Sequence, residues 1–136
     1  MPAGHQAFGR RIAIRQMMDT TPKAAVTALR ILDTAPEERF DRVTRLVARV
    51  FDVPIALVSL VDAERQWFKS CVGIDSRQTD RSISFCGHAI NEPVTFVVED
   101  ALLDERFSDN PLVAGEPFVR FYAGHPLTSV DGYRVG

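Results

Sequence analysis

The sequence predicts an α+β domain, with a central antiparallel β-sheet flanked by helices. Three observations predict it. Phe40, Val43, Leu46, Val47, Val50 and Phe51 recur at helical spacing. Two strand-like runs, 55–61 and 66–72, lie on either side of a polar four-residue turn. Residues 84–127 are then cut into short helical and extended pieces by Pro93 and by Asn110-Pro111.

The N-terminal stretch 1–20 stands apart from a domain spanning 21–136. Gly4 and Gly9 weaken a helix there, although Ile12, Ile14, Met17 and Met18 can form a short apolar face beside Arg10, Arg11 and Arg15. It reads as a leader or a dimerising helix. Thr21-Pro22 starts the first helix of the domain, since Thr caps free amides and Pro suits the first helical position. Ala24, Ala25, Ala28 and Leu29 continue it to Ile31 or Leu32.

Pro36 opens a second helix, with Glu37 and Glu38 where the helix dipole favours negative charge. Its apolar stripe is expected to face the core, with Arg42, Arg45 and Arg49 in solvent. Pro54 closes the region, and 55–61 is a buried strand interrupted by Ser59. After the turn Asp62-Ala63-Glu64-Arg65, the strand 66–72 returns. Simple alternation puts Trp67, Lys69 and Cys71 on one face and Phe68, Ser70 and Val72 on the other.

Residues 73–82 read as a polar loop. Ser84 caps a short helix over 85–91, and 94–98 is a strand. A helical stretch follows over 101–107, with Asp100, Asp104 and Glu105 on its charged surface. The next strand covers 119–127, with Phe121, Ala123 and His125 on one face and Arg120, Tyr122 and Gly124 on the other. Asp131-Gly132 is a hairpin turn.

Composition narrows the classes of function. The 136 residues are 46% hydrophobic and 25% charged, the profile of one globular domain able to bury a core. A net charge of −2 supplies no global basic field for nucleic acid. Cys71 and Cys86 are too few for a disulfide scaffold and read as reduced thiols. No apolar run reaches the roughly 18 residues of a membrane span. The N-terminus has no secretory apolar core. A cytoplasmic location without membrane insertion is therefore expected.

An ordered series of strings resembles the GAF domain family. They are Leu32-Asp33-Thr34-Ala35-Pro36-Glu37-Glu38-Arg39-Phe40-Asp41, Val53-Pro54-Ile55-Ala56-Leu57-Val58-Ser59-Leu60-Val61-Asp62 and Gln66-Trp67-Phe68-Lys69. Ser84-Phe85-Cys86-Gly87-His88-Ala89-Ile90, Asp109-Asn110-Pro111 and Arg120-Phe121-Tyr122-Ala123-Gly124 complete the series. Together they are similar to the bacterial GAF domains that precede histidine kinase, GGDEF or related output domains. The resemblance covers roughly residues 25–136.

The resemblance implies a PAS-related sheet and a non-catalytic sensor domain of a two-component or cyclic-di-GMP system. Such a domain binds a small molecule, dimerises, or does both to control an output. In the resembling proteins the strand after the Asp131-Gly132 position runs on inside the sheet, whereas here only Tyr133 to Gly136 remain. The expectation is a domain lacking its last strand, with a homodimer or strand exchange covering the exposed backbone groups.

The pocket implied by the resemblance is lined by Ser59, Trp67, Phe85, Cys86, His88, Phe121, Tyr122 and His125. These residues mix aromatic surface with a few polar groups, as small-molecule sites do. No catalytic set and no metal site is expected, because no Ser-His-Asp order, phosphate loop, carboxylate pair or Cys-x-x-Cys motif is present. The alternative is a redox, haem or tetrapyrrole sensor, or a thiol enzyme, using Cys86 and His88. Gly87 separates those two residues, and the other chromophore-contacting motifs are not recognisable, so haem and bilin are disfavoured. The ligand is left open and no cofactor is predicted.

Overall fold

A computed structural model describes residues 22–136. The expected leader or helix at 1–20 and the Thr21 cap lie outside the described residues. Pro22 opens α1 (Pro22–Ala28), which stops short of Ile31. Arg30 turns left-handed (φ 54°), and the amides of Leu29 and Arg30 close onto the carbonyls of Val26 and Thr27. Ile31 and Leu32 then pack from the turn against Ala25, Val26, Leu60, Trp67 and Val135.

The next segment is clasped to the sheet by two basic side chains. The Arg65 guanidinium donates to both carboxylate oxygens of Asp33, at 2.8 and 2.7 Å. Lys69 is only 1% exposed, and its Nζ donates to Thr34 Oγ1 at 2.8 Å and to the Ala35 carbonyl at 2.7 Å. The Glu37 carboxylate lies 2.7 Å from the same Nζ. Glu37 is the N-cap of α2 (Glu38–Val50), yet its side chain caps nothing because it is committed to Lys69.

The hairpin forms as expected, from β1 (Ala56–Val61) and β2 (Arg65–Val72), antiparallel and with a bulge. Val58 pairs with Ser70 and Ser59 with Phe68, so Lys69 is the extra residue. The bulge corrects the simple alternation. Lys69 and Ser70 are neighbours in sequence, yet both reach toward α2: Ser70 Oγ donates to Asp41 Oδ1 at 2.6 Å and lies 2.8 Å from Thr44 Oγ1.

These polar contacts orient α2, and they correct the expectation that its apolar stripe faces the core. Thr44, 2% exposed, is its buried residue. Val43, Leu46, Val47 and Val50 are 44%, 61%, 37% and 67% exposed. At about 100° per residue, that apolar stripe is rotated by roughly 140° from the Asp41–Thr44–Ala48 line. It forms an open flank of the helix.

The segment 73–82 is more ordered than a loop. It holds β3 (Gln78–Asp80), an edge strand paired with β2, and a 3-10 turn (Arg81–Ile83). α3 (Phe85–Ala89) starts at the expected cap, with Ser84 Oγ accepting from the Gly87 amide at 2.9 Å. β4 (Phe96–Val98) follows. Residues 101–107 form turns instead of the expected helix, because the carboxylates of Asp100 and Asp104 accept the amides of Leu102 and Arg106. Asn110-Pro111 begins α4 (Pro111–Ala114) where a break was expected, with Asn110 Oδ1 accepting from the Leu112 amide. The expected strand 119–127 shrinks to β5 (Tyr122–Gly124), between left-handed Phe118 (φ 57°) and Pro126.

The strands form two antiparallel sheets, β1-β2-β3 and β4-β5. The α+β class with antiparallel strands flanked by helices therefore holds. After the Asp131-Gly132 turn the chain comes back between the sheets. The Val135 amide donates to the Leu127 carbonyl and the Val61 amide donates to the Val135 carbonyl, each at 2.8 Å. One apolar cluster joins α1 to β1, β2 and Val135. A second is built from Phe85, Ala89, Phe96, Val98, Ala101, Phe107 and Val113.

Lys69→Met keeps the apolar stem and removes the ammonium. It is expected to lower the unfolding free energy by about 1–3 kcal/mol, read as a lower urea midpoint at unchanged slope. The hydrogen bond from Lys69 is the largest of the effects holding the Glu37 carboxyl below its ordinary value of 4.5. A depressed carboxylate adds stability that is complete above its ordinary value and is lost as pH falls through the folded one. The gap between wild type and Lys69→Met should accordingly be constant near neutrality and narrow below pH 4.5.

Candidate functional site

On the face of the hairpin away from α1, buried Ser59 and Gln66 stand side by side, with Gln66 Nε2 donating to Ser59 Oγ at 3.1 Å. The Gln66 carbonyl oxygen accepts from Thr79 Oγ1 of β3 at 3.3 Å. The Ser84 cap sets the start of α3, and Asn110 Nδ2 ties that start down through the Ile83 carbonyl at 3.0 Å. Cys86, in the first turn of α3, lies beside Ser59 and Gln66.

From the opposite side, Tyr122 of β5 donates its hydroxyl to Cys86 Sγ at 3.1 Å. Its ring lies 5.1 Å from Phe85 and 6.1 Å from Phe96, and Phe85 stacks on Phe107 at 4.3 Å. A polar line, Thr79–Gln66–Ser59–Cys86–Tyr122, thus runs along the rim of an aromatic cluster.

Gly124 makes the Tyr122 pose possible. Both residues face inward, and a Cβ built on Gly124 would stand 2.1 Å from the Tyr122 hydroxyl oxygen. The close approach that a small residue permits here is that of the tyrosine two positions earlier on the same strand.

Burial pushes the Cys86 thiol up, outweighing the opposing hydrogen bonds from Tyr122, Ser59 and Gln66. Burial, followed by the neighbouring Cys86, also raises the Tyr122 hydroxyl. Both groups keep their protons at neutral pH. A thiol raised in this way is a packing and hydrogen-bonding group, the reverse of an activated nucleophile.

Of the eight pocket residues expected from the sequence, Ser59, Phe85, Cys86 and Tyr122 come together. Trp67 is buried on the other face of β2, in the cluster with Ala25 and Val26, and the Arg77 guanidinium lies 5.6 Å from its ring centre. His88 is exposed, its ring edge-on to Phe107 at 4.8 Å. It opens onto a separate polar hollow of about 590 Å³ that also meets Glu64, Arg81 and Asn91. Phe121 is 57% exposed because alternation along β5 turns Tyr122 inward and Phe121 outward. His125 is exposed too, with Nδ1 2.9 Å from Thr95 Oγ1. Cys86 and His88 therefore serve different surroundings.

Gln66 and Thr79 were not foreseen. Alternation from Trp67 places Gln66 on the Ser59 side, but nothing in the sequence marks a glutamine beside a turn as buried. Among the described residues, no group of three His, Cys, Asp or Glu side chains could hold a metal ion, and no helix is long and apolar enough to cross a membrane.

The family model of the GAF domain matches residues 35–136. A cyclic di-GMP phosphodiesterase of Pseudomonas aeruginosa is 46% identical over 114 residues, which cover 84% of this chain and 19% of that protein. The chain therefore corresponds to under a fifth of the length of that relative.

Gly124→Ala is expected to drive the tyrosine off Cys86 and to cost about 1–3 kcal/mol of stability. In a Tyr122→Ala background the same change should cost far less, since the clashing phenol is gone. A double-mutant cycle by urea denaturation measures that coupling, and additive effects would show that Gly124 is not making room for Tyr122.

Proposed function

The chain belongs to the GAF domain family, and from that membership we propose that it is a non-catalytic regulatory module controlling a signalling output. A signalling regulatory domain is the coarse reading that the family and the phosphodiesterase relative support. The finer reading is a cytoplasmic bacterial sensor that forms a homodimer and takes a small molecule at the Ser59–Phe85–Cys86–Tyr122 site. Its output is of the cyclic-di-GMP type, following the relative's activity, with a histidine kinase as the other option from the resemblance.

The observation that carries this reading is the open flank of α2. Val43, Leu46, Val47 and Val50 form one apolar stripe, and Phe51, 70% exposed, extends it past the helix end. Scattered exposed hydrophobic residues need no explanation, but a contiguous stripe marks an interaction surface. A second copy crossing on a two-fold axis would set Leu46 and Val50 against the same residues of its mate. A ligand that binds one helix arrangement better than another then shifts the dimer between them by that difference in affinity.

Size-exclusion chromatography with light scattering tests the dimer. The wild-type chain is expected to run as a dimer at micromolar concentration, and Leu46→Glu as a folded monomer with unchanged far-ultraviolet circular dichroism. A wild-type monomer, or a dimer indifferent to Leu46→Glu, would remove α2 from the role given to it.

A further inference from the structure

Tyr122 is held as a small aromatic ligand would be. Its ring lies against Phe85 and Phe96, and its hydroxyl meets the Cys86 sulfur. Beside that sulfur, Ser59 and Gln66 are 6% and 3% exposed, two buried polar side chains joined by a 3.1 Å hydrogen bond. The floor under the phenol is the bare backbone of Gly124, so the space the ring fills exists because one side chain is missing there.

The tether is also slight. β5 is three residues long, pairs with β4 alone, and follows the left-handed turn at Phe118. Turning the side chain outward vacates an aromatic slot with a polar end. No strand pairing needs to break, because the pairing of Tyr122 with Val98 is made by backbone.

We propose that Tyr122 is a built-in occupant of the GAF pocket, and that the ligand class is a small phenol whose ring and hydroxyl replace those of the tyrosine. This rests on the pocket reading above and adds the chemistry of the ligand. The slot selects for the hydroxyl: with a plain hydrocarbon ring in place, the Cys86 sulfur loses the hydrogen-bond donor that Tyr122 supplies. The slot also selects for a neutral ligand, since a charged group would be desolvated without a counter-ion. Binding exchanges one phenol for another, so the native tyrosine competes with the ligand and weakens it. Removing the tyrosine must strengthen it.

The test is calorimetric titration of the whole chain with p-cresol, and with toluene as the analogue lacking the hydroxyl. Tyr122→Ala is expected to bind p-cresol at least tenfold tighter than wild type, and to bind toluene at least tenfold more weakly than p-cresol. Adding Gly124→Ala to Tyr122→Ala should weaken p-cresol again by refilling the floor. Circular dichroism and a cooperative melt establish that each variant is folded, and Tyr122→Val serves the same comparison should the alanine variant not fold.

Equal p-cresol affinity in wild type and a folded variant, or no p-cresol binding by that variant, would overturn the proposal. The broader pocket reading is separated by native mass spectrometry. A retained small molecule that is lost on Ser59→Ala, with p-cresol failing to bind, would overturn the phenol class and keep the pocket. A retained molecule indifferent to Ser59→Ala would overturn both.

Discussion

The placement of Lys69 is the constraint on which the rest of this fold depends. A buried ammonium must have its donors met, and here Thr34, Ala35 and Glu37 meet them from one short segment. That segment is thereby fixed against β2, and with it the start of α2. The bulge follows from the same need. With Lys69 as the extra residue of β2, Ser70 can also turn toward α2 and engage Asp41 and Thr44. α2 is seated by hydroxyls and a carboxylate, and its apolar stripe is left to one side, available to another chain.

The same strand divides the molecule into two environments. Trp67 faces α1 and closes an aliphatic cluster with Leu60 and Val135, whereas Gln66, one residue earlier, faces α3 and begins the polar line to Cys86. The second cluster is more aromatic, with Phe85, Phe96, Phe107 and Tyr122 in mutual contact. Polar tips on an aromatic wall are the makings of a site that fixes a ligand's orientation as well as its burial. Val135 holds the halves together from between the sheets, through Leu127 on one side and Val61 on the other.

Features governed by near neighbours were legible in the sequence. The α2 periodicity, the hairpin at 62–65, the Ser84 cap and the Asp131-Gly132 turn each depend on residues a few positions apart. Features decided by distant partners were not. Nothing near Val43 or Leu46 reports that Thr44 will be drawn inward by Ser70. Alternation places Lys69 on a face with Trp67 and Cys71, and nothing local reports the acceptors, more than thirty residues away, that bury it. Local competition hid other elements: Asp100 and Asp104 look like helix surface but close turns with their own carboxylates, and Asn110-Pro111 looks like a break but is a helix start. The site was half legible for the same reason. The Phe85-Cys86 string and the separation of Phe121 and Tyr122 onto opposite faces follow from short-range pattern, whereas which face turns inward, and the burial of Gln66, need distant elements to converge.

The bulge also lies between the Ser59–Cys86–Tyr122 cluster and α2. The Ser59–Phe68 pair stands on its pocket side and the Val58–Ser70 pair on its α2 side. Gln66 touches the polar line, and Ser70, four positions on along the same strand, holds α2 by two hydrogen-bonding groups. Ser59 and Gln66 are thus joined to the α2 anchor along a single paired strand, across the place where its register is irregular. Coupling between two sites needs an element whose arrangement both can bias. β2 touches both regions, with the extra residue Lys69 clasping the entry to α2.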